Sequence, residues 1–327
     1  MTDGTTYVLG WDGLDYSLCC EFGLTDELVP HHTRTETLDN EVLDKPDTYE
    51  LWPTIITGET PEVHGVRLVS DDGGAGAENF LVNAATGFLH RNLSPEQRVK
   101  IAVRLRNRGL RIDQKSPDWY RRRGVSTVFD GRGSRVVGLP NYKTDKDEKL
   151  GIFNGWGKKS SEFLKLEVDA ERRTVVYRPR TSVERLEDWL LSEVGAKERL
   201  VRTASERGYD LIFVWFAYID TVGHTVPAVE DEDWQRRAYE NAVDVTRSVR
   251  DHMDEKDTLV VASDHGNRDA DHTHDAFFGS TDERAVEGVG TVLDYREGIE
   301  RVTNSDAEGE DGPYEVEVRY EGNGKKT

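Results

Sequence analysis

A chain of 327 residues with a formal net charge of −20, 32% charged and only 36% hydrophobic residues, is long enough for one large α/β domain with or without an insertion. The acidity excludes a nucleic acid duplex as a partner held by general electrostatics, because phosphate backbones need a basic face. Seven Trp, twelve Tyr and several well-formed apolar runs exclude a disordered chain.

Abundant carboxylates keep a protein surface hydrated in concentrated salt, and this composition resembles that of proteins from halophilic archaea. Cys19 and Cys20 are adjacent, which suits free thiols in a reducing compartment better than an ordinary structural disulfide. The first residues (MTDGTTYVLGWDG) are not basic, and no stretch approaches the roughly 20 apolar residues of a membrane span. The expectation is a cytoplasmic protein without a membrane partner. Oligomeric state leaves no mark in the sequence.

Residues 6–10 (TYVLG) read as a buried strand running into Trp11, Asp12 and Gly13. An acid behind a first strand sits where α/β sheets gather their ligands. A helical stretch over residues 53–57 is expected to stop at Gly58, with Pro61 beyond it. Residues 67–124 change character, with a Gly-rich loop (DDGGAGAEN), a helix over residues 95–108 and the basic run Arg121, Arg122 and Arg123; they read as an inserted cap. That basic run is best explained as a solvated helix end. RVVGL (135–139) is a strand candidate, and FLKLEV (163–168) with TVVYRP (174–179) alternates like a β-hairpin.

Two helical patterns follow, over residues 183–194 and 196–207, and then LIFVWFAYID (211–220), too continuously apolar for a one-sided strand. A helix over residues 231–253 leads to the strand TLVVASDHG (258–266). This alternation predicts an α/β fold with a mostly parallel central sheet and helices on both faces. Residues 1–303 read as a single catalytic domain. Residues 304–327 read as an acidic tail in which YEVEVRY (314–320) can add one edge strand.

Functional residue types collect at strand ends and helix starts: Asp12, Thr48, Asp220 with His224, and Asp264 with His265 and a later histidine. Taken singly, an acid behind a strand is more often a cap or a turn residue. An Asp-His pair directly behind a buried strand has few structural uses. Oxygen and imidazole ligands in this mixture suit Zn²⁺, ahead of Mn²⁺ and similar ions. Two Asp-plus-His groups exceed the needs of one ion and suggest a paired centre that clamps a phosphoryl group.

In order along the chain, an Asp after the first strand, a Thr before T-G-x-x-P-x-x-H-G, then D-x-x-x-H and S-D-H-G with a later His resemble the alkaline phosphatase superfamily. Within it, the type I phosphodiesterase and nucleotide pyrophosphatase branch matches best, from Tyr7 to about Ser280. The resemblance implies two divalent metal ions, one on Asp220, His224 and His274, the other on Asp12, Asp264 and His265. It also implies Thr48, ten residues before Gly58, as the nucleophile touching both ions. His272 competes with His274; the resemblance favours His274, which directly precedes the apolar DAFFGS run. Thr54 and Thr57 are rival hydroxyls that read as helix and turn residues. His64, with Pro61 and Gly65, reads as a turn residue.

The pattern departs from the branch in two places: proline is delayed to Pro53, and TYELWPT lacks the Asn that holds a phosphate oxygen. Asn141 or Asn154 could serve as a substrate-binding substitute. Position 48 holds neither the Cys nor the Ser of a sulfatase, and the chain is short for a cofactor-independent mutase with its large insert. The reading is a hydrolase of small phosphorylated substrates. The alternatives are a phosphomonoesterase or another transferase of the superfamily, and a non-catalytic metal-binding protein.

Overall fold

The structure is a computed structural model that describes residues 4–41, 43–67, 114–144, 160–169, 174–229, 231 and 233–303. The chain runs β1 (Thr6–Trp11), α1 (Tyr16–Phe22), α2 (Thr25–Leu28), β2 (His31–Thr35), α3 (Thr48–Thr57) and α4 (Pro61–His64). Then come α5 (Pro117–Arg122), β3 (Ser134–Val137), β4 (Leu164–Asp169), β5 (Thr174–Pro179) and α6 (Val183–Ser205). The remainder is β6 (Leu211–Phe216), α7 (Tyr218–Thr225), α8 (Trp234–Arg250), β7 (Thr258–Ala262), β8 (Gly266–Arg268), β9 (Asp271–Thr273), β10 (Ala276–Ser280), α9 (Glu283–Val286) and α10 (Tyr295–Val302).

Six strands form the central sheet in the order β2-β10-β7-β1-β6-β3. β7, β1, β6 and β3 are parallel, while β10 runs antiparallel to both of its neighbours. Successive residues of β1 face opposite sides. Tyr7, Leu9 and Trp11 pack with the α6 and α8 side chains, and Val8 packs with Trp52 and Ile55 of α3. Both faces are covered, so the central strands are apolar without alternation. The fold is α/β with a mostly parallel sheet between helical layers, and no helix of the described residues is long and apolar enough to cross a membrane.

Two expected helices, over residues 183–194 and 196–207, are one, α6. Leu186, Leu190, Val194, Val201 and Ala204 form a continuous buried stripe through Gly195. Packing of that stripe outweighs the cost of about 1 kcal/mol that an internal glycine carries. The hairpin expected over 163–168 and 174–179 is present with its first strand one residue later, Leu164–Asp169 pairing antiparallel with Thr174–Pro179. The part of the expected cap that is described, α5, is integrated with the core: Tyr120 is fully buried beside Phe129 and Tyr142. Arg121 at its end pairs with Asp118, and Arg123 lies over the Trp119 ring. The expected helix at 95–108, Asn154 and the 304–327 tail lie outside the described residues.

α3 starts five residues earlier than the expected stretch and ends at Gly58, which adopts the left-handed conformation with φ 67°. His64 secures the helix from below. Val66 N–H donates to His64 Nδ1 at 3.0 Å, so the ring proton sits on Nε2 and faces Thr54 Oγ1 at 3.1 Å. Thr54 in turn donates to the Glu50 carbonyl. Burial lowers the His64 pKa to about 3. Between about pH 6.5 and 3 the unfolded chain takes up a proton that folded His64 refuses. Stability on this account is full above the unfolded pKa and falls as pH drops through that window. The stability difference between wild type and His64→Gln, from urea melts, is therefore expected to change across pH 6.5 to 3 in favour of the variant. A difference independent of pH would contradict this role.

Candidate metal centre

Three neighbouring parallel strands each deliver one carboxylate at the same edge of the sheet. β1 is followed directly by Asp12, β6 runs into α7 with Asp220 in its first turn, and β7 is followed by Ser263 and Asp264. Backbone bonds fix these ends: Asp12 N–H donates to Phe216 O at 2.9 Å, and Asp220 N–H donates to Asp12 O at 3.0 Å. Gly13 has φ 73°, and a Cβ there would stand 2.9 Å from the Asp220 side chain, so only glycine permits this closeness. Ser263 ties two of the loops together, accepting from Leu14 N–H at 2.9 Å and donating to His265 O at 2.6 Å.

Asp264 and His265 are inaccessible to solvent, and Asp12, Asp220 and His224 are buried. Thr48 at the start of α3 is only partly buried. Its Oγ1 lies 3.1 Å from Asp12 Oδ1 and 3.0 Å from His265 Nε2. Thr54 and Thr57 turn instead to helix carbonyls, those of Glu50 and Pro53. The Tyr49 N–H at the start of the helix is taken by the Asp47 side chain at 3.0 Å.

Of the two competing histidines, geometry brings His272 and not His274 to the other ligands. His274 lies at the bend after β9, about half exposed, with Nε2 2.8 Å from Asp39 Oδ1. His272 instead enters the cluster, with Nε2 2.9 Å from His224 Nε2 and 3.5 Å from Asp220 Oδ1. Asp269 and Ala270 are both left-handed, with φ 56° and 61°, and make a two-residue turn between β8 and β9. The turn pairs Asn267 with His272, and directly opposed residues of an antiparallel pair share a face. Residues 266–273 thus form a short hairpin. Left-handed Ala is unfavourable, so only the Asp at the first turn position hinted at it.

All three clustered imidazoles are in one tautomer. His224 Nδ1 faces Val175 O at 2.8 Å, His272 Nδ1 faces Pro46 O at 2.7 Å, and His265 Nδ1 faces Gly266 O at 3.0 Å. Carbonyls only accept, so each Nδ1 carries a proton, and in the neutral ring it is Nε2 that has the lone pair. The β4–β5 hairpin supplies the first of these carbonyls, and its Tyr177 stacks on His224 with centroids 4.7 Å apart.

The charges tell the same story. Burial first, then the charges of Asp264 and Asp220, push Asp12 well above the usual carboxylate range. Burial and Asp220 push Asp264 up to about 8. Burial opposes ionisation of Asp220 too, but His224 and His272 outweigh it and hold Asp220 well below its usual value. For His265, burial lowers the pKa, and the hydrogen bond and charge of Asp12 override this and raise it. Among the described residues, the ion pairs of Asp12, Asp220 and Asp264 are all with histidines.

The cluster therefore fits a cation. Asp264 Oδ2 is buried without a hydrogen-bond partner. His224 Nε2 and His272 Nε2 stand 2.9 Å apart, and both lie beside Asp220 Oδ1, so two imidazole nitrogens and a carboxylate oxygen converge. Ligand atoms of Asp220, His265 and His272 lie within 4.8 Å of one another, as do those of Asp12, Asp264 and His265. His224 completes the first group through its contacts with Asp220 and His272.

Asn141 has a defined place next to Thr48. Pro53 has no N–H, which leaves the Tyr49 carbonyl without its helical donor. Asn141 Nδ2 donates to that carbonyl at 2.7 Å, from a left-handed backbone with φ 55°. The side chain supports the first turn of α3, and its Oδ1 is buried without a partner.

No protein-family model matches the chain, and no curated protein matches it at a significant level. Solved structures similar to it include the PH0037 protein from Pyrococcus horikoshii, at 13% identity and TM-score 0.44 over 92% of this chain and 98% of that one. Murine ectonucleotide pyrophosphatase/phosphodiesterase 5 aligns at 12% identity and TM-score 0.41, over 80% of this chain and 57% of that one. The alkaline phosphatase from the Antarctic bacterium TAB5 aligns at 10% identity and TM-score 0.42, over 91% and 97% respectively.

His272→Ala is expected to lower divalent-cation affinity by at least about 10-fold, whereas His274→Ala, at the surface, leaves it unchanged and shifts stability within about 0.5 kcal/mol. Calorimetric titration of the chelator-treated protein with Zn²⁺ distinguishes the two. The reverse order of effects would restore His274 as the ligand.

Proposed function

We propose that the protein is a metal-dependent hydrolase of phosphate esters, of the phosphodiesterase and nucleotide pyrophosphatase type in the alkaline phosphatase superfamily, acting through Thr48. The observation that carries this reading is the position of Thr48. Thr48 is a partly exposed residue whose hydroxyl contacts both Asp12 and His265, at the edge of a largely buried cluster of acids and imidazoles. A protein that only stored a metal would not need a reachable hydroxyl there. The ordered motifs read from the sequence support the same conclusion.

Two divalent cations fit the donor set, Zn²⁺ ahead of Mn²⁺ because imidazole nitrogens and carboxylate oxygens are mixed. Asp220, His224 and His272 would hold one, and Asp12, Asp264 and His265 the other. When bound, such cations supply Lewis acidity, which favours the ionised threonine oxygen and offsets charge on the phosphoryl group.

Held ionised by a bound cation, Asp12 would accept the Thr48 hydroxyl hydrogen at Oδ1, which orients the oxygen and gives its proton a destination. Asn141, Asp47 and His64 hold α3 so that Thr48 stays in register with His265. Thr48 Oγ1 then attacks phosphorus: a threonine O–P bond forms, the ester P–O bond breaks, and the leaving oxygen takes a proton from water. Water attacks the phosphothreonine in a second step: the threonine O–P bond breaks, the phosphoryl group passes to the water oxygen, the threonine oxygen recovers its proton from Asp12, and the proton released by water neutralises the hydroxide left by the first step. The substrate is a small phosphorylated molecule. The acidic composition points to a cytoplasm rich in salt as its setting.

Thr48→Ala is expected to lower hydrolysis of bis-p-nitrophenyl phosphate by about 10³-fold or more in high salt with Zn²⁺ present, while the protein retains its metal. Thr48→Ser is expected to keep measurable turnover, and acid-quenched wild type to carry a phosphoryl group on the peptide that contains Thr48. Full activity in the Ala variant would sink the assignment.

A further inference from the structure

We infer that Asn267 is a positioning residue for the cation site of Asp220, His224 and His272, setting the rotation of the Asp220 carboxylate. The inference rests on the metal reading above and goes beyond it, because Asn267 touches no cation itself.

Asn267 is fully buried, one residue after Gly266 in β8. Its Nδ2 donates to Asp220 Oδ1 at 2.7 Å and reaches Asp220 O at 3.4 Å. Both of those atoms only accept, so the amide can face one way: nitrogen toward Asp220, oxygen away from it. A slot in α7 admits the amide. A Cβ on Gly223 would stand 2.7 Å from Asn267 Cγ and Oδ1, so glycine at this position, one turn beyond Asp220, is what lets the amide approach. The backbone is anchored as well, since Gln235 Nε2 of α8 donates to Asn267 O at 2.9 Å.

Asp220 Oδ1 is the oxygen that faces both His224, at 3.3 Å, and His272, at 3.5 Å. A donor fixed on that oxygen occupies one of its acceptor directions and stops the carboxylate turning. The remaining directions are then presented to the space shared with the two imidazoles. Asn267 also sits opposite His272 across the β8–β9 hairpin, so one short hairpin delivers a ligand and the group that orients its partner ligand.

Packing alone does not explain an asparagine here. Its Oδ1 is buried without a partner, and an unmet buried acceptor destabilises a fold. An apolar side chain of similar size would avoid that loss but could not hold Asp220. The amide is explained by its donor.

The test uses the full chain, stripped with chelator and then titrated with Zn²⁺ alone. Ions per chain are counted by plasma mass spectrometry, the two affinities are taken from competition with a chromophoric chelator, and the melting temperature of the metal-free form is recorded. Wild type is expected to take up two ions. Asn267→Ala is expected to weaken one of them by about 10–100-fold, leaving the other ion in place and the metal-free melting temperature little changed. Gly223→Ala, which crowds the amide while leaving every ligand intact, is expected to weaken the same ion. It decides the matter should Asn267→Ala fail to fold. Unchanged affinities in a folded variant, or equal weakening of both ions in step with a lower metal-free melting temperature, would overturn the positioning role while leaving the metal reading standing. A wild type that takes up no ion would overturn both.

Discussion

Three carboxylates and three imidazoles are brought together at one edge of a sheet where water is largely excluded, and the rest of the structure is arranged around that concentration of charge. Taking a charged group out of water costs several kcal/mol even after relaxation. Asp12 and Asp264 show the tension directly, since burial and their neighbours drive both toward the protonated form. A rigid frame is needed to hold such groups within contact of each other. The frame is β7, β1 and β6, adjacent and parallel, apolar on both faces and covered by helices. Strand direction does the rest, because three parallel strands end at the same edge.

The nucleophile candidate is held by a different device. Thr48 comes from α3, outside the sheet, and α3 contains a proline that removes one of its own hydrogen bonds. Asn141 replaces the lost donor at Tyr49, and the Val66–His64–Thr54–Glu50 chain ties the next turn to α4. A helix interrupted at Pro53 thereby keeps its first turn in place over Asp12 and His265. Two buried asparagines each donate an amide hydrogen close to the cluster, Asn141 to the Tyr49 carbonyl and Asn267 to the Asp220 carboxylate.

Much of the fold was legible because the central strands bury both faces and so read as unbroken apolar runs ending in acids. Asp220 and His224 were legible as a pair because four residues is one helical turn, and α7 begins right at Tyr218. Thr48 was reached only through its distance from the T-G segment; nothing in TYELWPT itself distinguishes its hydroxyl from that of Thr54. The choice between His272 and His274 could not be read locally. It depends on a tight turn at Asp269 and Ala270, whose left-handed backbone is unusual for Ala. Asn267, Val175 and Pro46 were invisible for another reason. Two of them act through backbone carbonyls, and residue type does not reveal where a carbonyl points.

The β8–β9 turn has a consequence for how this stretch can vary in length. In an antiparallel pair the side chains alternate, so a change of register by one residue sends each to the other face. Insertion or deletion of a single residue between Arg268 and Asp271 would turn His272 away from His224 and set Thr273 or Asp271 in its place. Surface loops elsewhere in the chain tolerate such changes readily. The stretch from Gly266 to Thr273 is on the surface of no core cluster, yet its residue count is as constrained as that of a central strand. The separation between Asn267 and His272 behaves as a fixed length, and a change there would alter which atoms face the cluster while leaving the composition of the hairpin almost untouched.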